Sequence, residues 1–126
     1  MKIYVASKFT EAKNVRNIMN TLEEKGHTIT VDWTVHTNPR EQSKLIDWAK
    51  RDIFGVKECD LYIGIFEKDF RYTGALVELG TAIGNEKRCW VIGGFINHCI
   101  FLNHPLVTCF PDLATALEVI DCFPKE

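Results

Sequence analysis

Five short apolar runs, rich in β-branched and aromatic residues and mostly separated by segments of helical periodicity, limit this chain to few folds. They are Lys2–Ala6, His27–Val31, Leu61–Phe66, Arg88–Ile92 and Val107–Phe110. Between them, Glu11–Lys25 repeats apolar residues at Val15, Ile18, Met19 and Leu22, with Thr10 placed to cap it and Gly26 to stop it. Asn38-Pro-Arg-Glu41 has the form of a helix start, and the helix runs to about Glu58 with Leu45, Trp48, Ala49, Ile53 and Val56 toward the core. A third helix spans Thr73–Gly84, and Pro111-Asp112 opens a last one reaching about Phe123. Residues 95–106 carry no clear pattern. Strand–helix alternation of this kind predicts one α/β domain over residues 1–126. It is a three-layer α/β/α arrangement around a mostly parallel, Rossmann/flavodoxin-like sheet of about five strands.

Composition narrows function by exclusion. A net charge of −2 and no basic run argue against nucleic acid as a partner. The apolar runs are too short to span a membrane. The sequence starts directly as a strand, with no leader pattern after Met1, so a cytoplasmic protein is expected. Five cysteines form no C-x-x-C pair and are expected as small core residues. The four histidines lack metal-site spacing, so neither metal nor cofactor is expected.

In an open parallel sheet, ligands collect at the carboxyl ends of the strands. Here those ends are Ser7–Thr10, Asp32–Thr34, Glu67–Tyr72 and Gly93–Phe95. One acidic residue near this rim is out of character. Glu78 lies between Leu76-Val77 and Leu79-Gly80. It is either the polar line of an exposed helix face or a buried carboxylate that is paired, protonated or chemically used.

Asp52 is a second such acid, four residues from both Trp48 and Val56. It is either an edge residue paired with Lys50 or Arg51, or part of the site. An unbroken helix would hold it about 10 Å below the rim. A break near Lys50–Asp52 is therefore expected, bringing Asp52 to a helix start that stabilises its charge.

Other candidates each have a plainer alternative. Thr73 is expected to cap its helix, and Asp69 is either solvated or in the pocket. Gly74 would let a ligand approach the anion-favouring helix N-terminus. Ser7 and Lys8 suit a phosphate or sugar hydroxyl, or simply form a β–α turn. Phe9 and Trp33 either stack on a base or pack.

Taken in order, Ile3–Thr10, Asp52, Cys59-Asp60 before an apolar strand, and Gly74-Ala-Leu-Val-Glu-Leu-Gly80 resemble the nucleoside 2-deoxyribosyltransferase superfamily, which includes deoxynucleoside 5′-monophosphate N-glycosidases. The resemblance covers residues 1–95. It implies that Glu78 is a nucleophile attacking the anomeric carbon of a nucleoside or nucleotide. Asp52 would contact the sugar or manage the proton on the leaving base, and Ser7 and its neighbours would hold the 5′ end. The transferases place an Asp six residues before the catalytic Glu; here Tyr72 stands there, with Asp69 three residues earlier. The resemblance further implies a homodimer or higher homo-oligomer whose subunits complete one another's pockets, with Asn97 and His98 as candidate donors.

The chemistry fits a fixed carboxylate, because cleaving an N-glycosidic bond builds positive charge on the sugar. Hydrolase and transferase both remain open, as does a module of the same fold that binds or senses a nucleotide without turnover. A phosphoacceptor receiver domain would need an acidic pair where Ala6-Ser7 stands. A phosphoribohydrolase would need a Gly-rich loop that Arg71-Tyr-Thr-Gly-Ala only partly supplies.

Overall fold

The computed structural model describes residues 1–36 and 42–123; the predicted helix start at Asn38–Glu41 lies outside them. Strands β1 (Lys2–Ala6), β2 (Thr28–Ile29), β3 (Leu61–Ile65), β4 (Arg88–Ile92) and β5 (Val107–Phe110) form one sheet in the order β2-β1-β3-β4-β5. Every neighbouring pair is parallel. Helices α1 (Ala12–Glu24), α2 (Gln42–Glu58), α3 (Thr73–Gly84) and α4 (Leu113–Ile120) cover it. Lys25, just past α1, pairs with Asp121 at the end of α4 at 2.8 Å, which ties these helices across one face. Helices α2 and α3 pack together on the other. This is the expected α/β/α sandwich, and its order reverses between β1 and β3.

Buried apolar positions explain the elements. In α1, Val15, Ile18, Met19 and Leu22 are all buried, and Gly26 takes the left-handed φ of 93° that ends the helix. Thr10 does not cap it. Phe9–Glu11 forms a 3-10 turn that feeds straight into α1, and no side chain bonds at the junction. Strand β3 is buried along its whole length, as a central parallel strand should be. The last helix does begin at Asp112, whose side chain accepts from the Thr115 N–H at 2.8 Å. Gly93–Phe95 is the expected turn, and residues 95–106, without a pattern in the sequence, are turns with a 3-10 segment at Ile100–Asn103. Gly93 makes the first turn with φ of 93°; a Cβ there would strike the Phe66 carbonyl.

Three expectations need correction. Strand β2 is two residues long rather than five, pairing only Lys2 with Thr28 and Ile3 with Ile29. The chain then swings off the edge, and the Trp33 indole N–H donates to the Val5 carbonyl at 2.7 Å, where a longer β2 would have bonded. Second, α2 is continuous through Lys50–Asp52. Its N-terminal half stands clear of the sheet, so Leu45 and Ala49 are exposed, Trp48 and Ile53 are partly exposed, and of the five expected core residues only Val56 is fully buried. Third, all five cysteines are free; Cys59 and Cys89 are core residues, but Cys109 and Cys122 are exposed.

Gly55 lets α2 sit close to the sheet: a Cβ there would collide with Val31 and press on Thr30 and Tyr4. In Gly55→Ala the gain in helix propensity, about 1 kcal/mol, opposes an overpacking cost of roughly 1–3 kcal/mol. Net destabilisation is expected in urea unfolding; a variant as stable as the parent would show that α2 is not held this tightly.

Candidate active site

Side chains alternate along a strand, so Tyr4 and Ala6 of β1 share a face with Tyr62 and Gly64 of β3. Tyr4 and Tyr62 are register partners, and their rings stack with centroids 6.4 Å apart. Both are completely buried. The Tyr62 hydroxyl donates to the Ala75 carbonyl at 2.7 Å, which fixes the first turn of α3 against the sheet. The Tyr4 hydroxyl donates to Oε2 of Glu78 in a short hydrogen bond. Above this pair the face narrows to Ala6 and Gly64, and the Phe66 ring folds over Gly64.

Glu78 is therefore not on a solvent-facing line. Burial pushes its carboxyl up to about 7; the Tyr4 bond pulls the other way, and the charge of Asp52 adds to the rise. Tyr4, buried beside Glu78 and Asp52, has its own ionisation pushed far upward, so its hydroxyl is a permanent donor. Asp52 is raised to about 6, again by burial, with Arg51 opposing. Its Oδ1 is buried and has no hydrogen-bond partner among the described residues. Attraction from Arg51 acts through space, but no bond satisfies that oxygen.

The position of Asp52 resolves the geometric difficulty without a helix break. Six residues separate it from the base of α2, a rise of about 9 Å. Glu78 lies five residues into α3, about 7.5 Å below that helix's start. Both carboxylates thus sit below the rim, in a cavity of about 510 Å³ that descends between α2 and α3. Its lining brings together Ser7, Lys8, Phe9, Trp33, Asp52, Tyr72, Gly74 and Glu78, eight of the nine residues expected from sequence.

The ninth, Asp69, is exposed and does not line the cavity. Tyr72 explains this. Its hydroxyl accepts from the Lys68 N–H at 3.1 Å and donates to the Lys68 carbonyl at 2.9 Å, while its ring packs edge-on against Phe66. That anchor turns residues 67–70 outward, and it commits the Tyr72 hydroxyl to the loop. Thr73 does not cap α3, since no side-chain bond closes the helix start; it lines the cavity instead.

Around the rim, the β1–α1 and β3–α3 loops are tied together. Ser7 Oγ donates to the Ile65 carbonyl at 3.0 Å, Lys8 Nζ donates to the Arg71 carbonyl at 3.2 Å, and Glu11 pairs with Lys68 at 2.8 Å. Lys8 also lies over the Phe70 ring. Among the described residues, nothing beyond its chain neighbours and its own helix backbone comes within 4 Å of where a Gly74 Cβ would stand, so the start of α3 is open to a ligand. Phe9 is half-exposed and tilts against Trp33 at 6.5 Å. Trp33 itself is buried, and its N–H is already engaged.

Two lining residues had no place in the sequence reading of the site. Trp48 was assigned to the core, and His36 to nothing. In the fold their rings stack, centroids 3.8 Å apart and 9° from parallel. Trp48 was within reach, being one helical turn before Asp52; His36 carried no signal. Among the described residues no three His, Cys, Asp or Glu side chains converge as a metal site would need, and no helix is long and apolar enough to cross a membrane.

A two-carboxylate pocket at the switch point of a parallel sheet is an arrangement suited to glycosyl chemistry. Known structures share this fold. A 2-deoxyribosyltransferase from Bacillus psychrosaccharolyticus superposes with a TM-score of 0.73 at 19% identity, covering 98% of this chain and 93% of that one. The CMP N-glycosidase of Clostridium botulinum gives 0.68 at 20% identity, covering 98% of this chain and all of that one. No family model matches the sequence, and no curated protein matches it.

The raised carboxyl of Glu78 has a stability consequence. Its folded value of about 7 exceeds its unfolded value near 4.5. Ionisation therefore costs stability progressively from pH ~4.5 to ~7 and by a constant amount above. Glu78→Gln keeps an acceptor for Tyr4 without the charge. It should be more stable than the parent by about 3 kcal/mol at pH 8 and nearly equal at pH 4.5, as read from denaturant unfolding. Equal stability at both pH values would mean that the carboxylate is not desolvated.

Proposed function

We propose that this chain cleaves, or transfers at, the N-glycosidic bond of a (2′-deoxy)nucleoside or its 5′-monophosphate, with Glu78 as nucleophile. The observation that carries this reading is the Glu78 carboxylate itself, held by Tyr4 through one oxygen at the bottom of a cavity large enough for a nucleoside. Oε2 receives the Tyr4 proton, and Oε1 has no protein partner among the described residues. That leaves one oxygen to attack C1′. The shared fold of a deoxyribosyltransferase and a nucleotide N-glycosidase supports the same chemistry.

In the first step Glu78 bonds to C1′ as the C1′–N bond breaks, and the bonding pair leaves with the base. The base needs a proton. Asp52 lies in the same cavity, across from Glu78 on the neighbouring helix, and is the group placed to supply it. In the second step water or another base attacks C1′ and releases Glu78, which gives hydrolysis or transfer respectively. Ser7, Lys8, Arg71 and the open N-terminus at Gly74 form the wall suited to the 5′ hydroxyl or phosphate. In this reading Asp69, exposed outside the cavity, and Tyr72, its hydroxyl bonded to the Lys68 backbone, have no base-activating part.

The reading includes a homo-oligomer. Support comes from the apolar outer side of α3: Val77, Ile100 and Phe101 are largely exposed beside a cavity of about 710 Å³ that shares Thr73 with the pocket.

Incubation with a panel of deoxynucleosides and their 5′-monophosphates, followed by chromatography for free base, tests the proposal. Release that falls by a thousandfold or more in Glu78→Gln is expected. Tight binding without release would instead indicate a sensor. In the same assay Lys8→Ala should weaken the monophosphate more than its nucleoside, and equal losses would remove Lys8 from the 5′ end.

A further inference from the structure

The cavity has two walls of opposite chemistry. On one side stand Lys8, Arg71 and the N-terminus of α3 at Gly74, cationic or N–H-rich; on the other stand His36, Trp48 and Asp52. With a sugar over Glu78 and its 5′ end toward Lys8, the base has to project along the second wall. Trp48 is four residues before Asp52 on α2, so it lies about 6 Å nearer the rim. That offset carries the wall from the reacting carboxylates to the outer part of a base.

His36 completes this wall. Its ring covers one face of Trp48 in parallel contact, which fixes the plane of the imidazole. The contact leaves both ring nitrogens on the edge, and among the described residues neither nitrogen has a hydrogen-bond partner. Asp52 Oδ1, in the same cavity one helical turn below Trp48, is likewise unpartnered among the described residues. A half-buried wall of unpartnered polar atoms beside an aromatic surface is what a planar, hydrogen-bonding ligand satisfies.

We propose that His36, seated on Trp48, reads the nucleobase: its ring edge hydrogen-bonds the edge of the base while the sugar lies over Glu78. This rests on the glycosidic reading above for the orientation of the substrate. Burial, and after it Arg51, lowers the imidazole from its ordinary value, with Asp32 opposing. At neutral pH it is uncharged and offers one donor and one acceptor, as the edge of a base does. It is a specificity residue rather than an acid; the proton for the leaving base stays with Asp52.

The test uses His36→Phe, which keeps a flat ring on Trp48 and removes the nitrogens, with His36→Asn as a variant that restores a donor and an acceptor. Each is assayed with the panel of nucleosides and with a 2-deoxyriboside whose leaving group is 4-nitrophenol, which has no base edge to read. In His36→Phe the loss of kcat/KM with the preferred nucleobase should exceed the loss with the nitrophenyl compound by about tenfold or more. Discrimination between bases should narrow, and His36→Asn should recover part of it. Equal losses on all substrates, or none, would overturn the proposal. A binding arm separates this from the activity itself: nucleoside affinities are compared in Glu78→Gln and in Glu78→Gln/His36→Phe. Loss of base preference in the double variant supports the assignment even if the parent protein releases no base. An unchanged preference refutes it.

Discussion

The hydrogen bond from Tyr4 to Glu78 is the contact on which the rest of the site depends. A carboxylate between leucine, valine and glycine on an apolar helix is costly to bury unless something receives it. Tyr4 does so from the middle of β1, across the interface between sheet and α3. The cost is not fully offset, and the residual shows as a carboxyl that holds its proton up to about pH 7. A cation developing on a sugar ring would stabilise the charged form of such a group. In the proposed reading, stability and reactivity are thus set by the same side chain.

That contact exists only because the sheet order reverses between β1 and β3. The reversal places the β1–α1 and β3–α3 loops side by side, where Ser7, Lys8 and Glu11 reach across to Ile65, Arg71 and Lys68. It also lets α2 and α3 descend together on one face, so that Asp52 and Glu78 arrive at similar depth from different helices. Gly55 brings α2 close enough, and the Tyr62 bond to Ala75 sets α3. The catalytic candidates ride on rigid helices, while the loops close the rim.

Local periodicity made much of this legible in the sequence. Strands β1 and β4 and helix α3 fall where their apolar patterns put them, because one face of each is decided by burial alone. What the sequence hid depends on partners far away in the chain. Strand β2 stops early because an indole takes over its bond to Val5. The 3-10 turn at Phe9–Glu11 supplies the entrance to α1 that Thr10 was expected to cap. Helical rise puts Asp52 below the rim, and the cavity reaches down to it, so α2 has no reason to break. Asp69 was separated from the cavity by the Tyr72 anchor, a bond between a side chain and backbone four residues apart. His36 had no periodicity to betray it; only the fold sets it on Trp48.

The most direct test of the central claim is to trap the glycosyl ester. Fluorine at C2′ of a nucleoside destabilises the cationic transition states of both steps, and a readily leaving base keeps formation of the carboxylate ester faster than its release, so the ester accumulates. Protein treated with such a nucleoside can be digested and its peptides weighed. The account predicts one added deoxyfluororibosyl group on the peptide containing Glu78, coincident with stoichiometric release of base. Base release with no adduct, or an adduct on any other side chain, would contradict Glu78 as the nucleophile.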